Sequence, residues 1–365
     1  MQYSLHSNNQ LSKDILNKIM EICLKNGIEF NPNIHIEIVS NNIRIINNNT
    51  TTNFNLFVPR KLFLKINDCL FSEKDKKIVI ESIPLYYSSL QKDLLYLFID
   101  LYNSMNKLEN WKENHILKIF DQNPILKKLI YNSDLHLIKR YKQNNNFNYL
   151  SDFLFTRTFN YQDENKKISR NIIPIIDFLN NNFLGRKVNF NNDITLEIKN
   201  IGKDGECFFN YGPILDTIDY AILHGYFDNV TPYARLNSLV INLDNFCRVI
   251  INLKNDLPIK RIKDLVLPSV KIKEDSIEIT NLVYVSGKKN NFKNYLKLLL
   301  KSFSKKNIDN DAMEKMVFFI LERIYFHNKI YLNNIINSLK DNKNKRANIL
   351  FLAAKRQLNI ISELK

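Results

Sequence analysis

The sequence predicts an α+β protein in which short strands and helices occupy separate stretches of the chain. Runs rich in β-branched and aromatic residues are typical of short strands. Apolar residues that recur every three or four positions are typical of amphipathic helices. The strand-like runs are 34–39, 43–46, 54–58 and 61–66, mixed strand and loop covers 235–285, and the helical stretches are 10–26, about 90–120, 291–304, 310–338 and 344–363.

The composition bounds the class of protein. With 365 residues and 45% hydrophobic content, the chain can form two or three domains around at least one sizeable core. Its four cysteines are widely spaced and form no C-x-x-C pair, which argues against a zinc cluster or a disulfide framework. The polar N-terminus lacks the apolar segment of a signal peptide, and no apolar run approaches the roughly 18 residues of a membrane span. We therefore expect a cytoplasmic protein, in the host cytoplasm if the source is viral.

The net charge of +15 by itself would favour an anionic partner. Lysine, asparagine and isoleucine are abundant throughout the chain, however, as an AT-rich gene would specify, so part of the charge reflects codon usage. No stripe of arginines with interleaved aromatic residues is present, which argues against nucleic-acid binding. We expect a monomer that acts on a protein substrate, and the charge favours an acidic one.

The middle of the chain carries the most constrained backbone. Glycine is found where a backbone needs a positive φ angle or a close approach by another group. Five of the seven glycines lie in one segment, at Gly185, Gly202, Gly205, Gly212 and Gly225.

Two motifs in this segment carry a family resemblance. Residues 174–180 read PIIDFLN, residues 205–213 read GECFFNYGP, and a short helix then leads to HGY at 224–226. Their order and spacing resemble the P-x-x-D-x-x-N-H, G-E-x-x-x-x-Y-G-P and Y-G-F motifs of the SET-domain protein methyltransferases, in the Rubisco large-subunit lysine methyltransferase-like branch. Upstream, FLFTRTFN at 153–160 resembles the T-R-x-F element of that family, and NWKENHILKIF at 110–120 resembles its W-x-x-Y-I segment.

The resemblance implies a fold and a domain order. It implies a knot-like, β-rich SET domain that is interrupted by a helical insert and followed by a mostly helical domain for substrate binding. The two parts of the SET domain would be 1–72 and 161–234, the insert 73–160, and the substrate-binding domain 235–365.

The resemblance also implies an activity, the transfer of methyl groups from S-adenosylmethionine to a lysine amine of a protein, with S-adenosylhomocysteine as the product. Tyr211 would be catalytic, because a hydroxyl beside the transferring methyl group can orient an in-line displacement. Arg157 would pair with the carboxylate of the cofactor through its planar guanidinium, and Asp177 would brace the loop around the site. The residues implied at the cofactor are Asn180, Asn181, Arg157, Asn42, Asp177 and Tyr211.

Departures from the family pattern leave the acceptor open. Asn42 lies where relatives have a G-x-G turn, and Asn181 replaces the histidine of their Asn-His pair. His224 stands where lysine-specific relatives have a second tyrosine; with Tyr226 it would line the substrate pocket, although it can equally be a helix-end residue before Gly225. A protein-histidine methyltransferase and an inactive SET-like protein-binding module therefore remain alternatives.

Overall fold

The computed structural model confirms the α+β class, with several small sheets and a helical C-terminal region. The chain divides into two compact units, Met1–Glu113 with Asn148–Gly212 and Asn114–Phe147 with Pro213–Lys365. The division into four domains stays a prediction. The structure describes residues 3–30, 34–39, 42–47, 53–132, 147–162, 167–186, 193–198, 204–210, 216–244, 246–253, 260–262, 265–304 and 309–365.

Most of the helices fall within the helical stretches that the sequence predicts, whereas those at Pro124–Asn132 and Tyr149–Thr156 lie outside them. They are α1 Gln10–Lys25, α2 Ser89–Ser104, α3 Lys107–Glu113, α4 Ile116–Gln122, α5 Pro124–Asn132, α6 Tyr149–Thr156, α7 Thr217–His224, α8 Lys289–Phe303, α9 Asn310–Leu339 and α10 Lys345–Ser362. Side chains fix several of the starts. Asn9 accepts a hydrogen bond from the backbone N–H of Ser12 at 3.1 Å, and Ser88 with Gln91 forms a capping box before α2. These contacts satisfy N–H groups that a first helical turn leaves without a partner.

The first unit contains small sheets built from short strands. Its strands are β1 Tyr3–Ser7, β2 Glu29–Phe30, β3 Ile34–Val39, β4 Asn42–Asn47, β5 Phe54–Val58, β6 Leu64–Lys65, β7 Leu70–Lys74, β8 Lys77–Ser82, β9 Phe159–Gln162, β10 Ile168–Ile172, β11 Asn180–Arg186, β12 Ile194–Ile198 and β13 Phe208–Phe209. Three sheets have three strands each, in the orders β1-β3-β4, β12-β5-β2 and β6-β10-β9. Strands β11 and β13 run parallel, and β7 with β8 forms a hairpin.

Two strands are shorter than the sequence predicts. The predicted strand 61–66 is reduced to Leu64–Lys65, because Arg60–Leu62 form a 3-10 turn. Pro59 starts this turn, since proline fixes its own φ angle and has no N–H for a sheet. The run CFFNY at 207–211 also predicts a strand, and within its described residues the regular strand covers Phe208–Phe209. Strands β3 and β5 coincide with the predicted ranges.

An aromatic cluster joins α2 and α6 to the turn that follows β10. Phe98 stacks on Phe178 with ring centroids 5.5 Å apart, and Tyr102 meets Phe153 edge-on, also at 5.5 Å. All four side chains are almost completely buried. Because buried aromatic pairs have few alternative packings, this cluster holds the neighbouring polar groups in fixed positions.

The second unit has a four-stranded sheet with helices around it. Its strands are β14 Tyr233–Arg235, β15 Leu239–Leu243, β16 Cys247–Asn252, β17 Lys260–Ile262, β18 Leu265–Leu267, β19 Ser269–Ile272, β20 Ser276–Thr280 and β21 Val283–Val285. The larger sheet has the order β15-β16-β20-β19. Apolar residues of this sheet and of α8, α9 and α10 form one core. Among the helices of the described residues, none is long and apolar enough to cross a membrane.

Gly225 is the point at which α7 must end. It has a φ angle of 64°, in the left-handed region, and Arg346 passes close to it while donating to the carbonyl oxygen of Ile222 at 2.9 Å. A Cβ atom added to Gly225 would lie only 1.3 Å from Nη1 of Arg346. The guanidinium therefore occupies the space that any side chain at position 225 would need.

Gly225→Ala is expected to lower the midpoint of thermal unfolding, because the methyl group displaces Arg346 and an alanine is forced to a positive φ. The backbone strain costs about 1–2 kcal/mol, and loss of the buried hydrogen bond about 1–3 kcal/mol more. Gly287→Ala is the matched control, since Gly287 has a φ of 74° and nothing within 4 Å of the added Cβ. Equal midpoints for the two variants would contradict this role of Arg346.

Candidate functional site

A buried aspartate in the first unit forms the centre of a polar cluster. Asp177 Oδ2 accepts a hydrogen bond from the Tyr102 hydroxyl at 2.9 Å, and Nη1 of Arg157 lies 4.0 Å from Oδ1. The Asp177 side chain is 5% exposed and that of Arg157 is 27% exposed. The carboxylate is therefore enclosed by protein, whereas the guanidinium can still be reached by a ligand.

The backbone before Asp177 is strained. Ile175 has a φ angle of 68° with a ψ of −43°, a conformation that a β-branched residue rarely adopts. The 3-10 turn Ile176–Phe178 follows at once, and the N–H of Asp177 donates to the carbonyl oxygen of Ile173 at 3.0 Å. Ile175 is completely buried, so surrounding packing holds a conformation that costs of order 1–3 kcal/mol. This turn points the Asp177 side chain at Tyr102 and Arg157.

Lys107 joins the cluster from the start of α3. Its Nζ donates to Oδ1 of Asn42, the first residue of β4, at 3.2 Å. Both Arg157 and Asp177 act on the charge of Lys107, so the ammonium lies within electrostatic range of both. The Asp177 cluster is thus formed by Asn42, Tyr102, Lys107, Arg157 and Asp177.

The charges of the cluster are tuned by burial and by one another. Burial and, to a smaller extent, the cation Arg157 lower the pKa of Lys107 to about 7, while Asp177 opposes both. Burial raises the pKa of Asp177, while Arg157, the Tyr102 hydrogen bond and Lys107 hold it down. Burial and the Asp177 charge raise the pKa of Tyr102, so this hydroxyl stays protonated and donates. Groups with perturbed pKa values gather at functional sites more often than elsewhere.

The segment 204–209 lies between β4 and β11. The N–H of Asn47 donates to the carbonyl oxygen of Gly205 at 2.9 Å, and the N–H of Cys207 donates to that of Ile45 at 2.7 Å. On the other side, Asn180 and Phe208 are register partners in the parallel pair β11–β13. Gly205 is required here, because its φ is 80° and an added Cβ would lie 2.6 Å from the oxygen of Asn47.

This arrangement brings together the two motifs that the sequence singles out. Nδ2 of Asn180 donates to Oε1 of Glu206 at 2.7 Å. Burial raises the pKa of Glu206, and the nearby carboxylates of Asp204 and Glu37 raise it too, whereas the Asn180 hydrogen bond and Arg44 lower it. Arg44 Nη1 and Nη2 in turn lie 3.1 Å from Asp204 and 2.6 Å from Glu37. The Asn180 amide is held in one orientation by this charged neighbourhood.

The raised pKa of Glu206 predicts a pH-dependent stability. A carboxyl group whose pKa is raised by folding stabilises the folded state at pH values below its pKa in the unfolded chain, which is near 4.5. This stabilisation is lost as the pH rises through the pKa of the same group in the folded chain. We therefore expect the unfolding midpoint of the wild type to fall relative to that of Glu206→Gln between pH 4 and pH 8. Glutamine keeps the acceptor for Asn180 without the charge, and Glu29→Gln, at an exposed position of β2, is the baseline. A constant difference between wild type and Glu206→Gln would contradict the expectation.

His224 and Tyr226 lie in the second unit. His224 is the last residue of α7, directly before Gly225, as a helix-end residue would be. The buried Tyr220 ring is a neighbour of both, with ring centroids 6.2 Å from His224 and 6.4 Å from Tyr226. The two residues thus share a tyrosine neighbour, and their role in a substrate pocket stays a prediction.

The structure brings some of the predicted site residues together. Asn42, Arg157 and Asp177 meet in one cluster, and Asn181 is buried in β11 beside Phe209 of β13. Tyr211 lies outside the described residues. The sequence did not indicate Tyr102 or Lys107, since neither belongs to a motif. Within the described residues, no group of three or more histidine, cysteine, aspartate or glutamate side chains is placed to hold a metal ion.

Among the comparisons with known proteins, the one with solved structures finds similar chains. No family model matches the sequence, and no curated protein matches it. Twelve chains among the solved structures do match. One of them is a crystal structure of the SET domain of LSMT bound to lysine and AdoHcy, and the likeness covers 96% of this chain and 90% of that chain, with a TM-score of 0.42 and 11% sequence identity.

Proposed function

We propose that this chain is an S-adenosylmethionine-dependent protein-lysine N-methyltransferase. The observation that supports the proposal is the Asp177 cluster. Asn42, Arg157 and Asp177 are far apart in the sequence, and the family resemblance implies each of them at the cofactor independently of the contacts between them. Their gathering around Lys107 is what a shared ligand site requires.

The donors and acceptors of the cluster fit the amino-acid end of S-adenosylmethionine, which carries a carboxylate and an ammonium group. The guanidinium of Arg157 is a planar donor suited to a carboxylate. Asn180 uses its N–H group on Glu206, and among the described residues none donates to its Oδ1, which can accept from an ammonium. Arg157 and Asn180 would therefore hold opposite charges of the same ligand.

The remaining chemistry concerns alignment. S-adenosylmethionine supplies, when bound, a methyl group on a positively charged sulfur. The chain must hold the acceptor amine on the line of the breaking bond and keep water out, and such alignment lowers the barrier to the displacement. Tyr211 is proposed to orient the amine through its hydroxyl. A lysine enclosed by aromatic side chains also loses its proton more readily, because burial disfavours the ammonium form.

The proposal is tested by incubating the purified chain with isotope-labelled S-adenosylmethionine and lysate of the source cells. The modified peptides are then identified by mass spectrometry. Label on a lysine side chain of one or a few proteins is the expected result. A sample without the chain is the control for methyltransferases of the lysate.

Other outcomes separate the alternatives. Label on histidine would replace the lysine assignment by the protein-histidine methyltransferase. If no protein is labelled and titration with S-adenosylhomocysteine shows no binding, the chain is an inactive module and the proposal is wrong.

A further inference from the structure

We propose that Lys107 is a cofactor-binding residue which, together with Arg157, binds the carboxylate of the cofactor and makes cofactor affinity depend on pH. This inference rests on the proposed function. It adds a residue that belongs to none of the motifs, and it assigns that residue a measurable signature.

Lys107 differs from Lys112, the other lysine of α3, in the group that its ammonium contacts. Glu109 lies on the same helix, but it pairs with Lys112 at 3.0 Å, and Lys112 also contacts Glu73. Among the described residues, the ammonium of Lys107 instead donates to the neutral amide oxygen of Asn42. A half-buried lysine is thus held by a neutral acceptor rather than by a carboxylate of its own.

Within the part of the chain that the structure describes, the charges that act on Lys107 come from one cation, Arg157, and one carboxylate, Asp177. Arg157 follows α6, and Asp177 sits on the 3-10 turn, where it also accepts from Tyr102 of α2. The carboxylate of α6, Asp152, accepts from the indole N–H of Trp111 at 3.1 Å. Lys107 and Arg157 both act on the carboxylate of Asp177 and repel each other, and a ligand carboxylate beside them would relieve that repulsion. The other charged residues of α3 itself are Glu109, Lys112 and Glu113.

The pH dependence arises because protonation of Lys107 and binding of a ligand carboxylate favour each other. The pKa of Lys107 is about 7 in the chain without ligand. A bound carboxylate favours the ammonium form and raises that pKa, so binding above pH 7 takes up a proton. Affinity is then greatest when Lys107 is already protonated, and it falls as the pH rises through the pKa of the free chain. An arginine at this position stays charged over the whole range and would remove the dependence.

The test is calorimetric titration with S-adenosylhomocysteine from pH 6 to pH 9, for the wild type, Lys107→Arg and Lys107→Met. The ratio of wild-type to Lys107→Arg affinity is expected to fall about tenfold over this range, which corresponds to a ligand-induced rise of about one pKa unit. The ratio cancels titration of the ligand's own amino group. Titrations in buffers of different ionisation enthalpy should show proton uptake at pH 8 in the wild type and not in Lys107→Arg.

Two controls separate a contact of Lys107 with the cofactor carboxylate from a general effect of its substitution on the fold. Lys112→Met removes a charge from the same helix, and it should leave the affinity unchanged. 5′-Methylthioadenosine lacks the carboxylate, so Lys107→Met should bind it as well as the wild type does. The expected loss for S-adenosylhomocysteine with Lys107→Met at pH 6.5 is about tenfold, the size of one charge-assisted hydrogen bond.

The outcomes are distinct. A constant ratio of wild-type to Lys107→Arg affinity, with S-adenosylhomocysteine still bound, overturns the role of Lys107 and leaves the proposed function intact. An equal loss for both ligands in Lys107→Met also overturns it, because the lysine would then only support the fold. Failure of the wild type to bind S-adenosylhomocysteine overturns the proposed function and this inference together.

Discussion

Tyr211→Phe is expected to slow methyl transfer about a hundredfold and to leave the affinity for S-adenosylhomocysteine unchanged. Loss of a single orienting contact lets the amine and the methyl group drift from their line of reaction, and a displacement of about 1 Å costs a factor of this size. Only the hydroxyl is removed, and the aromatic ring is kept. The rate is measured with labelled S-adenosylmethionine on the substrate found in the lysate, and the affinity is measured by calorimetry.

Tyr161→Phe is the matched control for this substitution. Tyr161 is a buried tyrosine on β9, where its ring meets Phe63 edge-on, with centroids 5.6 Å apart. It lies outside the Asp177 cluster, so loss of its hydroxyl should not affect the rate. A Tyr211→Phe variant that is as fast as Tyr161→Phe would remove Tyr211 from the mechanism.

Arg157→Gln is expected to weaken binding of S-adenosylhomocysteine about 30- to 150-fold. Glutamine keeps much of the length and polarity of arginine but lacks the charge, and a charge-assisted contact to a carboxylate contributes about 2–3 kcal/mol. Arg157 also lies beside Asp177, so a fall in the unfolding midpoint of this variant is expected as well. Affinity is therefore measured at a temperature at which both proteins are fully folded.

Arg170→Gln provides the comparison. Arg170 is an exposed arginine whose guanidinium lies 4.4 Å from the ring centroid of Phe155 on α6, much as that of Arg157 lies 5.8 Å from the ring centroid of Phe153. It is not part of the Asp177 cluster. If both variants bind the ligand as tightly as the wild type does, or lose affinity to the same extent, Arg157 does not contact the cofactor.

Much of the secondary structure could be predicted from the sequence, because it depends on local patterns. The alternation in β3 and the helical spacing in α1, α9 and α10 follow from which face of each element is buried. The sequence patterns do not predict the 3-10 turn Arg60–Leu62, although the preceding Pro59 is a local signal that could have indicated a break. The positive φ of Ile175 had no signal at all, since isoleucine disfavours that conformation and only the packing around it explains it.

Of the candidate site, only the residues that lie in the family motifs could be predicted from the sequence. Asp177, Arg157 and Asn42 follow from the resemblance, as does the meeting of the segments that carry Asn180 and Glu206. Tyr102 and Lys107 could not be predicted, because their roles depend on contacts with residues far along the chain. Tyr102 lies on an apolar stripe of α2, and the chain has 17 tyrosines, so nothing local distinguishes it.

A crystal structure of the chain grown with S-adenosylhomocysteine tests the central claim most directly. The claim is that one cofactor occupies the first unit between the two motifs. The account predicts the ligand carboxylate at Arg157 and Lys107, with Asn180 and Tyr211 both in contact with the ligand. A ligand bound elsewhere, or Asn180 and Tyr211 on opposite faces without a cavity between them, would contradict it.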